Sequence, residues 1–282
     1  KACLLALGAV LLWSTVASAF KISLRYVDIF QLLFYSCVFS VLVLFAIILA
    51  QGKLRKLKGL RPVDLTYSIL LGALNPWAYY LILFKAYDIL PAQKAQPLNY
   101  TWAITLSLLS VPILKQPLKA LDVLALIVSY CGVYLISTQG EIGSVDFARP
   151  WGVGLALGST VIWALYWLAN TKDPLDPTCR LFLNFVAATI LVGTTTALFS
   201  NFWVPSWAGI SGAAYIGVFE MGITFVLWSA ALKLSKSAAQ VSIFIYLSPF
   251  LSLLFINKLV GEDIKGSTIV GLFFIVSGIC IQ

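Results

Sequence analysis

Two ionisable residues stand where so apolar a chain should not tolerate charge. Glu220 lies deep in the apolar run "YIGVFEMGITF", and Lys94 lies in "PAQKAQPLNYTW", between two apolar runs. An ionised group in a membrane interior costs several kcal/mol unless it is paired or wetted. Glu220 is therefore either a neutral, hydrogen-bonded glutamate that packs two helices, or a site for a substrate or a proton, since a desolvated carboxyl holds a proton more readily. Lys94 either snorkels to the outer headgroups or binds. A dipolar solute needs a partner for each charged end. The expectation is that Glu220 faces a solute's ammonium, or a coupled proton, and Lys94 a carboxylate.

The stretch around Lys94 carries further polarity. Gln93, Gln96 and Tyr100 fall at i, i+3 and i+7, one helical stripe. Pro91 suits a first helical turn, and Pro97 frees a backbone carbonyl one turn later. The segment reads as the wall of a water-filled vestibule at the outer side, because broken helices are tolerated where they line cavities. "SAAQVSIFIYLSP" is its counterpart in the other half, with Gln240, Tyr246 and Pro249. Pro97 and Pro249 are the expected hinges.

Aromatic residues complete the set. Trp13 and Trp163 sit mid-run, and Tyr79, Tyr100, Trp102 and Tyr246 join them as expected lining residues. Tyr and Trp inside a membrane must find a partner for O–H or N–H, or face water. Some of these rings are then helix-packing residues. A cavity lined by the others favours aromatic side chains, flat apolar solutes or organic cations, through stacking and cation–π contact.

Enzyme chemistry finds little to use. There is no histidine, which excludes a His-based triad and imidazole–zinc sites. The five cysteines form no CxxC pair and read as small apolar residues. "GVGLALG" follows no strand and has the wrong spacing for a dinucleotide fingerprint. No nucleophile–base set, metal cluster or cofactor motif is present, and neither an enzyme nor a cofactor is expected.

What positions these residues is a set of membrane helices. The chain is 61% hydrophobic and 11% charged, against about 25% charged in soluble domains. Apolar runs long enough to cross a bilayer alternate with short polar clusters, and the ten-residue alternation of a membrane β-barrel is missing. Ten spans are expected, roughly at 2–20, 29–50, 63–87, 90–113, 120–137, 151–170, 178–200, 207–232, 238–256 and 267–282. The first run reads as a span rather than a cleavable leader, and no soluble domain fits.

The net charge of +8 points to the membrane rather than to nucleic acid, because the basic residues fall in short loops. With the N-terminus inside, twelve Lys/Arg lie inside and six outside, Lys94 set apart. That bias puts both termini in the cytoplasm, as expected for a bacterial inner-membrane protein. The expected partners are a small-molecule substrate and the lipid bilayer, with no nucleic acid and a monomeric chain.

The chain also repeats itself. "LALGAVLLW" echoes "LALGSTVIW" at an offset of 150, Gly72 matches Gly217 at 145, and Gly132 matches Gly278 at 146. Asn75 falls at the position of Glu220 at the same offset of 145, so a polar residue marks both halves. The expected domains are a five-helix repeat at 1–137, a connection at 138–150 and a second repeat at 151–282. An odd number of spans per half inverts the second half, the plan of many secondary transporters with a midplane site.

With Pro249, Glu262 in "VGEDIKG", Gly271 and Gly278, the chain resembles EamA-type members of the drug/metabolite transporter superfamily. Its intramembrane aromatics make it most similar to the YddG-type aromatic amino acid exporters. The resemblance implies secondary transport of small amphipathic solutes, outward, by alternating access. The runner-up is a multidrug or nucleotide-sugar/phosphate carrier, for which basic cavity residues are scarce. The first half departs from the pattern: "LKQPLK" stands where an acidic mate of Glu262 belongs.

Overall fold

The computed structural model describes residues 2–114, 120–138, 140, 149–170, 173–204, 206–234, 244 and 247–281. Regular structure among them is entirely helical. Tyr246 and Gln240 lie outside the described residues.

Local signals fix the helix ends. The first helix, α1, spans Ala2–Ser23, and α2 spans Ile29–Ala50. Asp28 opens α2 with a capping box: its carboxylate accepts from the Phe30 and Gln31 amides, and the Gln31 side chain answers the Asp28 amide. Gly52, at φ 64°, takes the left-handed turn that ends α2. The next helix, α3 (Pro62–Ile89), starts with proline at its first position. It is interrupted by a π-helical segment, Ala73–Ala78, where Asn75 is extended at φ −144°, ψ 119°.

The expected run 90–113 is two helices, α4 (Ala92–Tyr100) and α5 (Trp102–Leu114), parted at Thr101. The interruption thus lies one turn beyond Pro97. Then follow α6 (Ala120–Ser137), α7 (Pro150–Asn170) and α8 (Pro177–Phe199). Helix α9 runs through Trp207–Tyr215, a π-helical Ile216–Ile223 and Thr224–Leu234. The last two are α10 (Leu247–Val260) and α11 (Gly266–Ile281).

Six described helices are long and apolar enough to cross a bilayer: α1, α2, α3, α7, α8 and α9. Parts of α6, α10 and α11 form shorter apolar helices. The chain is a polytopic integral membrane protein. Its outward faces are apolar, as at Leu42, Ile190, Leu198 and Phe273, while Phe20, Tyr80, Phe84 and Phe185 fill the interior. Trp151, Trp203 and Trp207 are exposed at helix ends, where amphipathic rings suit the headgroup level.

Packing partners recur in two sets. Helix α1 packs on α9 and α10, while α7 packs on α3, α4 and α5; α2 packs on α9, while α8 packs on α3. In addition, α2 pairs with α8 and α6 with α11. Small residues permit the close approaches. A Cβ on Gly72 would stand 2.5 Å from the Asn184 carbonyl oxygen of α8, and one on Gly217 would collide with the Ser36 carbonyl of α2.

Each end of the bundle has its own polar network. At one end, Lys53 and Lys56 pair with Asp176 at 3.1 and 2.9 Å. Beside them the buried Arg180 pairs with Asp173, donates to Ser68 Oγ and the Asp64 carbonyl, and lies 5.1 Å from the Tyr67 ring centre. At the other end, Lys21 donates to the carbonyls of Tyr87 (2.6 Å) and Leu90 (2.8 Å), and Arg149 to that of Ile89. Cations thus meet the negative end of α3. An anion meets the positive end of α4: Glu262 accepts from the amides of Ala92 at 2.8 Å and Gln93 at 3.1 Å.

Candidate functional site

Aromatic residues from six helices build the central cavity. On α1, Trp13, Val16, Ala17 and Phe20 share one face, and on α3 Tyr79, Leu83 and Tyr87 recur every fourth residue. Helix α4 adds Gln96, Asn99 and Tyr100, and Trp102 follows the break. Trp163 and Trp167 come from α7, Glu220 and Trp228 from α9. Together they border about 680 Å³ of space between atoms, part of it continuous with solvent.

The rings brace one another. Trp13 meets Trp228 with centroids 5.4 Å apart, and Trp163 meets Tyr79 at 4.6 Å. Phe225 touches both Trp13 and Trp163, at 6.2 and 5.8 Å. Trp102 stands edge-on to Trp163 at 6.5 Å. Such tilted and edge contacts hold the rings in place around the cavity.

Glu220 is the acidic residue at this cavity. It is 8% exposed and sits in the π-helical part of α9. The Tyr80 hydroxyl donates to its Oε1 at 3.0 Å, and its Oε2 has no partner in the protein. The indole N–H of Trp167 is likewise buried and without an acceptor. A buried polar group left unpaired is costly, and both residues border the cavity.

Of the expected site residues, Trp13, Tyr79, Gln96, Tyr100, Trp102, Trp163 and Glu220 border this one cavity. Lys94 is buried on α4 but does not border it, and Asn75 is fully buried with both amide atoms unpartnered. Glu220 and Lys94 therefore do not meet in this cavity. Pro97 is buried in α4, and Pro249 in the first turn of α10.

The vestibule expected at residues 91–102 is closed instead. Gln93 is 7% exposed, because its side chain donates to the Asp263 carbonyl at 2.8 Å and accepts from the Lys265 amide at 3.0 Å. Gln96 is held by Ser252 of α10. Hydrogen bonds to the 262–268 segment, rather than water, satisfy the upper part of that polar stripe; its lower part reaches the cavity.

Sequence reasoning did not single out Phe20 or Tyr87 as lining residues. The i, i+3, i+4, i+7 series Trp13–Val16–Ala17–Phe20 was the available signal, masked by a chain in which phenylalanine is common.

Comparison with known proteins follows the same line. The model of the EamA-like transporter family matches residues 1–138 and 150–281. The chain is 26% identical over 249 residues to "Uncharacterized transporter YvbV" of Bacillus subtilis, covering 84% of this chain and 77% of that one. It is 26% identical over 263 residues to an "Uncharacterized transporter" of Clostridium kluyveri (89% and 82% covered). An Archaeoglobus fulgidus protein of the same description is 25% identical over 279 residues, covering 95% of this chain and 94% of that one. A solved crystal structure shares the fold, with a TM-score of 0.70, 23% identity, and 99% of this chain and 95% of that one covered.

Proposed function

Because the chain belongs to the EamA-like transporter family, we propose that it is a secondary transporter that exports small amphipathic solutes, such as aromatic or apolar amino acids and related metabolites, through the central cavity by alternating access. One observation carries the proposal: a buried carboxylate with a free oxygen faces a cavity walled by tryptophan and tyrosine rings. The rings suit an apolar body by stacking, and the carboxylate suits an ammonium. Trp13, Tyr79, Gln96, Tyr100, Trp102, Trp163 and Glu220 are the proposed contacts. Lys94, Asn75 and Tyr246 are proposed as polar residues outside the described lining. Outward direction and similarity to YddG-type exporters rest on the sequence resemblance.

Ten spans in two inverted halves, 1–137 and 151–282, complete the proposal, with hinges near Pro97 and Pro249 and both termini in the cytoplasm. Three observations support it. The family model matches in two stretches that flank residues 139–149. The packing of α1 on α9 and α10 is mirrored by that of α7 on α3, α4 and α5. The π-helical segments Ala73–Ala78 and Ile216–Ile223 stand at corresponding places in α3 and α9. A nucleotide-sugar or phosphate carrier is disfavoured, because no lysine or arginine borders the cavity among the described residues.

The test is counterflow into proteoliposomes preloaded with unlabelled amino acids. Accumulation of labelled aromatic or apolar amino acids or their derivatives supports the proposal; equal signal in protein-free vesicles for all of them removes it.

A further inference from the structure

The charge inventory of the cavity narrows the substrate class. We propose that the site selects amphipathic amines, with an ammonium on Glu220, an aromatic or apolar body between the rings, and a remainder that carries no negative charge. This rests on the transport reading above and narrows its solutes, setting free amino acids aside in favour of related amines, amides and esters.

Glu220 is the one Asp, Glu, Lys or Arg among the described residues that border the cavity. Its Oε1 accepts from the Tyr80 hydroxyl, and its Oε2 is buried without a partner. An ammonium brings both the countercharge and the donor that Oε2 lacks. Trp13, Trp163 and Trp228 border the same cavity, and a cation is stabilised over an aromatic face when water is excluded. The cavity thus combines one acidic side chain with several aromatic rings, a pairing that suits a single positive group.

A free amino acid also brings a carboxylate. That group would enter a low-dielectric space already holding one carboxylate, and an uncompensated buried charge is strongly unfavourable. No described lysine or arginine borders the cavity; Lys21 and Arg149 serve the end of α3, and Arg180 pairs with Asp173. Lys94 does not border the cavity. The cavity does offer one buried donor without an acceptor, the Trp167 N–H. A single neutral N–H satisfies an amide, ester or hydroxyl oxygen; it does not neutralise a carboxylate.

Three indole compounds isolate the charge. Tryptamine is a cation, tryptophan a zwitterion and indole-3-propionate an anion, all on one ring. Counterflow in proteoliposomes of the intact protein, at one pH near neutrality, should give tryptamine exchange at least tenfold above tryptophan, with none for indole-3-propionate. Glu220→Gln, which keeps the shape, should lower tryptamine exchange at least tenfold while the protein remains folded in the membrane. Tryptophan exchanging as well as tryptamine overturns the amine assignment and leaves the transport reading standing. So does tryptamine exchange that Glu220→Gln leaves unchanged. Exchange of none of the three overturns the assignment together with the transport of indole-sized solutes.

Discussion

The Tyr80 hydroxyl of α3 reaches Oε1 of Glu220 on α9 at 3.0 Å, and so ties the polar centre of one half of the chain to the other. Both residues are buried, Tyr80 completely. The Tyr80 ring also packs on Tyr79 at 4.8 Å, which in turn faces Trp163. Anything that moves the carboxylate therefore acts on the aromatic wall through one hydrogen bond and two ring contacts.

Tyr80→Phe removes that donor and keeps the ring. Glu220 is then left with two unpartnered oxygens, at a cost of about 1–3 kcal/mol. The expected result is a lower melting temperature in detergent together with transport reduced at least tenfold. Thermal melts and counterflow measured side by side decide it. Parent-like values in both would mean that the hydrogen bond bears on neither folding nor transport.

Replacing Trp163 probes the wall itself. Its ring touches Tyr79, Trp102, Tyr166, Trp167 and Phe225, so Trp163→Ala opens the cavity on several sides. Large-to-small changes of this kind cost about 3–5 kcal/mol in a packed interior. Trp163→Phe keeps a face for stacking at smaller cost. Transport should follow Phe above Ala, with apparent KM rising more than kcat falls, since stacking serves binding. A Phe variant as impaired as Ala would point to the indole N–H instead.

The spans and the cavity were legible in the sequence to different degrees. Charge is rare here, so Glu220 and the hydrophobic runs announced themselves, and Trp13 and Trp163 end two similar stretches, "LALGAVLLW" and "LALGSTVIW". Gln93 misled for a physical reason. A polar residue in an apolar chain signals a need for partners, and sequence alone does not distinguish water from the Asp263 and Lys265 backbone that in fact supplies them. Glu262 shows the same limit. Its carboxylate serves the free amides at the start of α4, a contact across 170 residues that no local pattern encodes. Lys94 and Glu220 suggest a pair because both are charged, yet Lys94 is not among the residues that border the cavity.

Topology can be read by labelling. Tyr26, between α1 and α2, and Pro174, between α7 and α8, occupy corresponding loops of the two halves, and both are exposed. In a variant lacking the native cysteines, a cysteine at 26 should react with an impermeant maleimide from outside, and one at 174 from the cytoplasm. Labelling of both from one face would sink the inverted plan.

The acid sensitivity of the bundle should trace to Asp176, which lies just before α8. Partial burial pushes its pKa up, but hydrogen bonds from Lys56 and Lys53 outweigh this and hold it at about 2, below the usual 3.8. A carboxyl depressed on folding contributes stability that is fully present above its unfolded pKa and is lost as pH falls through its folded one. The window is therefore about pH 4 down to about pH 2. Lys56 is well exposed, so screening weakens its share, and the effect should be modest. Asp176→Asn should melt about 2–4 °C below the parent at pH 6, with the two curves converging as the pH approaches 2. Asn still accepts from the Thr178 amide, so a gap that persists unchanged at pH 2 would show that the loss does not come from the charge.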